Sequence, residues 1–189
     1  MPPLSIMIKP ASGLCNLRCK YCFYADEMKN RKLTSYGIMG EETLESVIRE
    51  TLSFAEKSCT IAFQGGEPSL AGIEFFRKCL ALEQKYNCNQ VKISHGFQTN
   101  GYYIDREWCA FFAENDFLVG LSVDGMKSTH DAFRVDAAGE GTYLRTLECA
   151  RLLKETGVQF NILTVVNGKT APKIRKIYDQ YQKYGFNWQ

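Results

Sequence analysis

LSIMIKPASGLCNLRCKYC, residues 4–22, joins an apolar run to a loop that carries three cysteines. The run Leu4–Lys9 reads as a strand, and Cys15, Cys19 and Cys22 follow it at C-x3-C-x2-C spacing. It is the first of five such runs, the others being Cys59–Phe63, Val91–Gln98, Leu118–Val123 and Val158–Val165. Helical patterns lie between and after them. Leu44, Val47, Ile48, Leu52 and Ala55 share one helical face, and so do Ile73, Phe76 and Leu80. Tyr143, Leu147, Ala150 and Leu153 repeat the pattern, as do Ile174, Ile177, Tyr181 and Tyr184. Asp105 reads as the N-cap of a shorter helix that carries Trp108 and Phe111 inward. Alternating strands and helices predict an α/β fold with a parallel sheet. Five units do not close an eight-fold barrel, which takes about 250 residues. Gly185 suits a helix-ending C′ position, and Phe186-Asn187-Trp188-Gln189 reads as the opening of a sixth strand, or as a short apolar tail on the last helix.

Composition narrows the class. The chain has 189 residues, 45% of them apolar and 23% charged, which fits a globular protein and one domain over residues 1–189. Its 23 Lys and Arg against 21 Asp and Glu leave a net charge of +2, too little to attract nucleic acid or an anionic membrane surface. There is no apolar run of the roughly 18 residues that a membrane span needs. The start, MPPLSIMIKP, places its first lysine behind the apolar residues and does not read as a signal peptide. Eight cysteines are too sparse for a disulfide scaffold of this size, so a reducing, cytoplasmic location is expected. In that setting clustered cysteines read as metal ligands or redox groups.

The cysteine loop follows the first strand, at the end of the sheet where α/β proteins gather ligands and catalytic groups. Three thiolates within eight residues can face one iron–sulfur cube. A [4Fe–4S] cluster takes four ligands, so three leave one iron open. A zinc site would want a fourth Cys or His close by. His95 and His130 are the only histidines, and neither has ligand spacing to the loop. A zinc site or an unliganded loop stands as the alternative. Cys59, Cys79, Cys88, Cys109 and Cys149 read as core or surface thiols.

With the aromatic Tyr21 before its third cysteine, the loop resembles the signature of the radical S-adenosylmethionine superfamily. More narrowly, the chain resembles anaerobic sulfatase-maturating enzymes through IKPASGLCNLRCKYCFY, SYGIM, AFQGGEPSLAG, FQTNGYYID and FLVGLSVDG, followed by His130-Asp131 and Arg134. These blocks run in family order over nearly the whole chain. The resemblance implies a partial (β/α) barrel with parallel strands inside and helices outside. It implies a [4Fe–4S] cluster on Cys15, Cys19 and Cys22. It also implies S-adenosylmethionine contacts at Tyr21, Gly66, Ser122 and Arg134, and substrate contacts at Tyr24, Gln64 and Gln98. The family departs from this chain in length, since its C-terminal half holds a cysteine-rich domain with auxiliary clusters and an acidic proton acceptor. Neither is present here, so no catalytic proton acceptor is expected among these residues. The loop also reads Ser-Gly-Leu-Cys where the family more often has Gly directly before the first cysteine.

Each residue also has a plainer reading. Gly65-Gly66-Glu67-Pro68 is a strand-ending turn as it stands, and glycine there equally lets a backbone approach a ligand. Ser122, Gln64 and Gln98 are polar strand-end residues, and Tyr24 follows the cluster loop. Asp124-Gly125 reads as a turn. A guanidinium suits a carboxylate because it offers a planar donor pair, although a single Arg is by default a surface residue. His130 and Asp131 read as organisers of the loop before Arg134. Tyr178, Tyr181 and Tyr184 read as a core or half-buried helix face.

The chemistry implied is reductive cleavage of S-adenosylmethionine to a 5′-deoxyadenosyl radical. That radical takes a Cβ hydrogen from a Cys or Ser of a sulfatase, and the residue becomes formylglycine. The expected partners are the sulfatase polypeptide and an electron donor such as a flavodoxin or ferredoxin. By itself the chain is expected to cleave S-adenosylmethionine slowly and not to make formylglycine catalytically. The alternatives are another radical S-adenosylmethionine peptide maturase, or an inactive cluster- or zinc-binding fragment.

Overall fold

The computed structural model describes residues 3–186. Five strands alternate with helices: β1 (Leu4–Ile8), β2 (Ser58–Phe63), β3 (Lys92–Thr99), β4 (Phe117–Ser122) and β5 (Phe160–Leu163). The helices are α1 (Phe23–Asn30), α2 (Glu41–Phe54), α3 (Ile73–Tyr86), α4 (Arg106–Glu114), α5 (Lys127–His130), α6 (Tyr143–Glu155) and α7 (Ile174–Tyr184). The chain divides into two compact units. The first combines the chain up to Cys15 with Tyr24–Phe97, and the second combines Asn16–Phe23 with the chain from Gln98 onward.

In the first unit β1, β2 and β3 pair in parallel, in chain order. Leu4 stands opposite Cys59 and Ile61 opposite His95. The α2 face seen in the sequence is the face that packs, with Leu44, Ile48 and Leu52 buried. On α3 Phe76 is buried as expected, but Ile73 and Leu80 are only half-buried, and Cys79 and Leu82 take the core positions instead. Phe76 stacks edge-on against Phe63 and Phe97, with ring centroids 5.0 and 5.1 Å apart. Burying each ring contributes on the order of 1.5–3 kcal/mol.

In the second unit β4 and β5 pair in parallel, with Val119 opposite Phe160 and Leu121 opposite Ile162. Asp105 caps α4 by accepting the Trp108 N–H at 3.1 Å, as its position in the sequence predicts. Trp108, Phe111 and Phe112 turn inward, where Phe111 and Phe112 meet Phe117 at 5.3 and 5.5 Å. Gly185 ends α7 with φ 66°, and the Phe186 N–H closes back on the Tyr181 carbonyl at 3.0 Å. Phe186 is buried against Phe160, Tyr181 and Tyr184. The rest of the sixth strand expected there, residues 187–189, lies outside the described residues. Among the described residues no helix is long and apolar enough to cross a membrane.

Two elements differ from the sequence expectation. Helix α1 buries no residue, so it has no apolar stripe to read. Helix α5 is a single turn, closed by Thr129, whose Oγ1 accepts the Met126 N–H at 2.9 Å.

Candidate functional site

Cys15 belongs to the first unit, and Cys19 and Cys22 to the second. All three are half-buried and in no disulfide. In the first unit, the turn after β2 grips the start of the cysteine loop. The Glu67 N–H donates to the Leu14 carbonyl at 2.8 Å, and Gly66 adopts φ +56°. A Cβ on Gly66 would stand 2.1 Å from that same carbonyl oxygen, so only glycine lets the two backbones meet. The Glu67 carboxylate is buried and accepts the Ser69 N–H at 3.1 Å. The Gln64 N–H extends the β1–β2 ladder by donating to the Ile8 carbonyl at 3.1 Å. Tyr24 sits in the first turn of α1 with the Lys9 ammonium 4.9 Å from its ring centroid.

In the second unit, backbone bonds fasten the rest of the loop. The Arg18 N–H donates to the Val135 carbonyl at 2.7 Å, and the Lys20 N–H to the Phe133 carbonyl at 3.0 Å. The Cys22 N–H donates to the Cys19 carbonyl at 3.1 Å, turning the chain between the two thiols. Tyr21 packs on Phe133 with ring centroids 5.5 Å apart and donates its hydroxyl to Asp124 Oδ2. Arg134 also donates to Asp124 Oδ2, through Nε at 3.0 Å. Its Nη1 reaches Cys19 Sγ at 4.0 Å, and its guanidinium carbon lies 5.5 Å from the Tyr21 ring centroid. Arg134 is thus a buried, ion-paired residue and not a surface charge.

The electrostatics follow from burial. Burial pushes the Cys19 thiol pKa up, and the Arg134 charge opposes the shift. Burial likewise raises the Tyr21 phenol, which stays protonated as a donor. For Arg134 burial disfavours the charge, but Asp124, Tyr21 and Cys19 outweigh it and the pKa rises.

His130 is where the sequence placed it, as a loop organiser. Its Nδ1 accepts the Asp124 N–H at 3.2 Å, and its Nε2 lies 3.1 Å from Thr142 Oγ1. Thr142 in turn donates to the Arg134 carbonyl at 3.1 Å. The adjacent Asp131 accepts the Tyr143 N–H at 2.9 Å. Of the tyrosines on α7, Tyr181 is buried and its hydroxyl donates to the Val123 carbonyl at 2.7 Å, whereas Tyr178 is exposed.

Ser122 ends β4, half-buried, and its Oγ accepts from Gln98 Nε2 at 3.0 Å. A Cβ at Gly120 would fall 2.2 Å from Gln98 Oε1, so glycine leaves room for the Gln98 amide across β4. His95 bonds Glu83 at 2.9 Å inside the first unit.

Among the described residues no three His, Cys, Asp or Glu side chains stand together at metal-holding distance. The donor set nonetheless suits a thiolate-ligated cluster, because three half-buried thiols in no disulfide lie within eight residues, with the Arg134 guanidinium against Cys19. Asp124, a turn residue by its sequence context, accepts from both Tyr21 and Arg134. Its place at the end of β4, ten residues before Arg134, is the one signal that could have singled it out.

This fold and loop define a class. The chain belongs to the radical SAM superfamily, whose profile matches residues 10–181. Within that class it is similar to the cysteine-type anaerobic sulfatase-maturating enzyme of Clostridium perfringens, with 48% identity over 188 residues, covering 100% of this chain and 51% of that protein. The serine-type enzyme of Klebsiella aerogenes is 36% identical over 186 residues, 97% of this chain and 45% of that protein. The solved structure of native anSMEcpe with bound AdoMet and Cp18Cys peptide superposes with a TM-score of 0.93 at 46% identity, covering 99% of this chain and 50% of that one. The chain spans about half the length of the curated relatives it matches.

Proposed function

We propose that this chain is the radical-generating domain of an anaerobic sulfatase-maturating enzyme. The observation that carries the reading is similarity to the cysteine-type enzyme over 100% of the chain, including the three-cysteine loop. Cys15, Cys19 and Cys22 hold a [4Fe–4S] cluster, and Tyr21, Gly66, Ser122 and Arg134 hold AdoMet. When bound, the cluster would supply the one-electron reduction that splits AdoMet into methionine and a 5′-deoxyadenosyl radical.

The chain's own residues bind and orient. Arg134 supplies a charge-assisted donor pair for a carboxylate. Ser122, already accepting from Gln98, keeps its hydroxyl proton for a second acceptor. Gly66 keeps the turn close to the loop without a side chain in the way. Tyr24, Gln64 and Gln98 face the peptide substrate. That substrate is a sulfatase polypeptide, and the higher identity to the cysteine-type enzyme, 48% against 36%, favours a target cysteine. The electron donor is a flavodoxin or ferredoxin, the location is cytoplasmic, and no nucleic acid or membrane takes part.

The test is anaerobic reconstitution with iron and sulfide, then reductant, AdoMet and a sulfatase-derived cysteine peptide. Cluster-dependent formation of 5′-deoxyadenosine is the expected result, faster with the cysteine peptide than with its alanine counterpart. Iron-loaded protein that leaves AdoMet intact would sink the reading.

A further inference from the structure

Asp124 follows the end of β4, and its side chain is 0% exposed. Its carboxylate meets three donors. Oδ2 accepts from the Tyr21 hydroxyl and from Arg134 Nε at 3.0 Å, while Oδ1 accepts the Val165 N–H at 2.9 Å. An ionised carboxylate has acceptors only, so every contact is matched. An asparagine there would turn its NH2 toward a donor on one side or the other, whichever way it flipped.

The Asp124 backbone is held as firmly. Its N–H donates to His130 Nδ1 at 3.2 Å, and its carbonyl accepts from Thr129 Oγ1 at 2.5 Å. The carboxylate is therefore a fixed point. Because it takes Nε of Arg134, it leaves the terminal nitrogens of that guanidinium as the outward fork, and Nη1 is the one that reaches Cys19. The same oxygen fixes the ring of Tyr21, two residues beyond Cys19 and one before Cys22.

We propose that Asp124 is the positioning residue of the AdoMet site, holding Arg134 and Tyr21 so that the terminal Arg134 nitrogens are set for the AdoMet carboxylate beside the cluster loop. This rests on the reading that Arg134 binds that carboxylate. It predicts that Asp124 acts through Arg134 and not independently of it.

The test is a double-mutant cycle on the full chain with its cluster reconstituted anaerobically, read by iron content and by AdoMet affinity from calorimetry. Asp124→Asn is expected to keep its iron and bind AdoMet at least tenfold more weakly. Arg134→Ala is expected to weaken binding by as much or more, and adding Asp124→Asn to it should cost less than a further threefold. Wild-type affinity in an iron-loaded Asp124→Asn, or losses that multiply in the double variant, would overturn the proposal. Wild-type affinity in Arg134→Ala would instead overturn the underlying reading, and the proposal with it. If Asp124→Asn does not fold, Asp124→Glu carries the test. It keeps the charge but moves the acceptor, and affinity within threefold of wild type would refute a positioning role.

Discussion

The backbone N–H of Asp124 donates to the imidazole Nδ1 of His130 at 3.2 Å, so the ring must carry its proton on Nε2, facing Thr142 Oγ1. Thr142 passes the chain on to the carbonyl of Arg134, and the two ends of the loop from Asp124 to Arg134 are tied through one neutral imidazole. A second ring proton would stand against the Asp124 N–H.

Burial, with the nearby Arg134 charge, lowers the His130 pKa from 6.5 to about 4. The unfolded chain therefore takes up this proton before the folded one does, and stability falls as pH drops from about 6.5 toward 4. Between pH 7 and pH 5 the loss from this group is about 2 kcal/mol. Denaturant unfolding at the two pH values should show it, and His130→Asn should show a smaller difference between them. An equal pH dependence in that variant would assign the effect elsewhere.

Single replacement of Cys15, Cys19 or Cys22 by Ala should abolish the cluster absorbance after reconstitution, because three thiolates are the fewest that hold a cube with one open iron. Cys59→Ala, buried in β2 and outside the C-x3-C-x2-C spacing, should retain it. The check is iron and sulfide content beside the spectrum. Full iron in all three loop variants would point to other ligands.

Arg134→Ala should lower AdoMet affinity roughly 10- to 150-fold, the loss of a charge-assisted donor pair. It should also destabilise the fold by about 3–5 kcal/mol, since it leaves the Asp124 carboxylate buried without its cation. Arg134→Lys keeps a charge but not the planar fork, so it should recover more stability than affinity. Calorimetry and denaturant unfolding on the same samples separate the two effects.

Gly66→Ala should cost about 1–3 kcal/mol or more, because φ is positive and the new Cβ would press on the Leu14 carbonyl. Gly157→Ala is the control, with φ +73° but nothing within 4 Å of its Cβ, and should cost about 1 kcal/mol from backbone strain alone. Equal losses in chemical denaturation would remove the close approach as the reason for glycine at position 66.

The sequence by itself determined what depends on near neighbours along the chain. The period of Leu44, Ile48 and Leu52 marks the buried face of α2, Asp105 caps α4 three residues ahead of its partner, and Gly185 closes α7. The C-x3-C-x2-C spacing marks the thiol loop for the same reason, since the pattern is contained in eight residues, whereas its backbone is held by distant partners such as Val135 and Phe133. Only the tertiary structure decided the role of Asp124. Asp-Gly reads as a turn, and Gly125 does take φ +78°, but the carboxylate's partners lie 103 residues back at Tyr21, ten ahead at Arg134 and 41 ahead at Val165. Arg134 likewise reads as a surface charge until Asp124 and the Tyr21 ring surround it. Periodicity and caps are settled by contacts within a turn or two of helix. A buried charge finds its partner only when distant segments close around it, and no spacing along the chain records which segments those are.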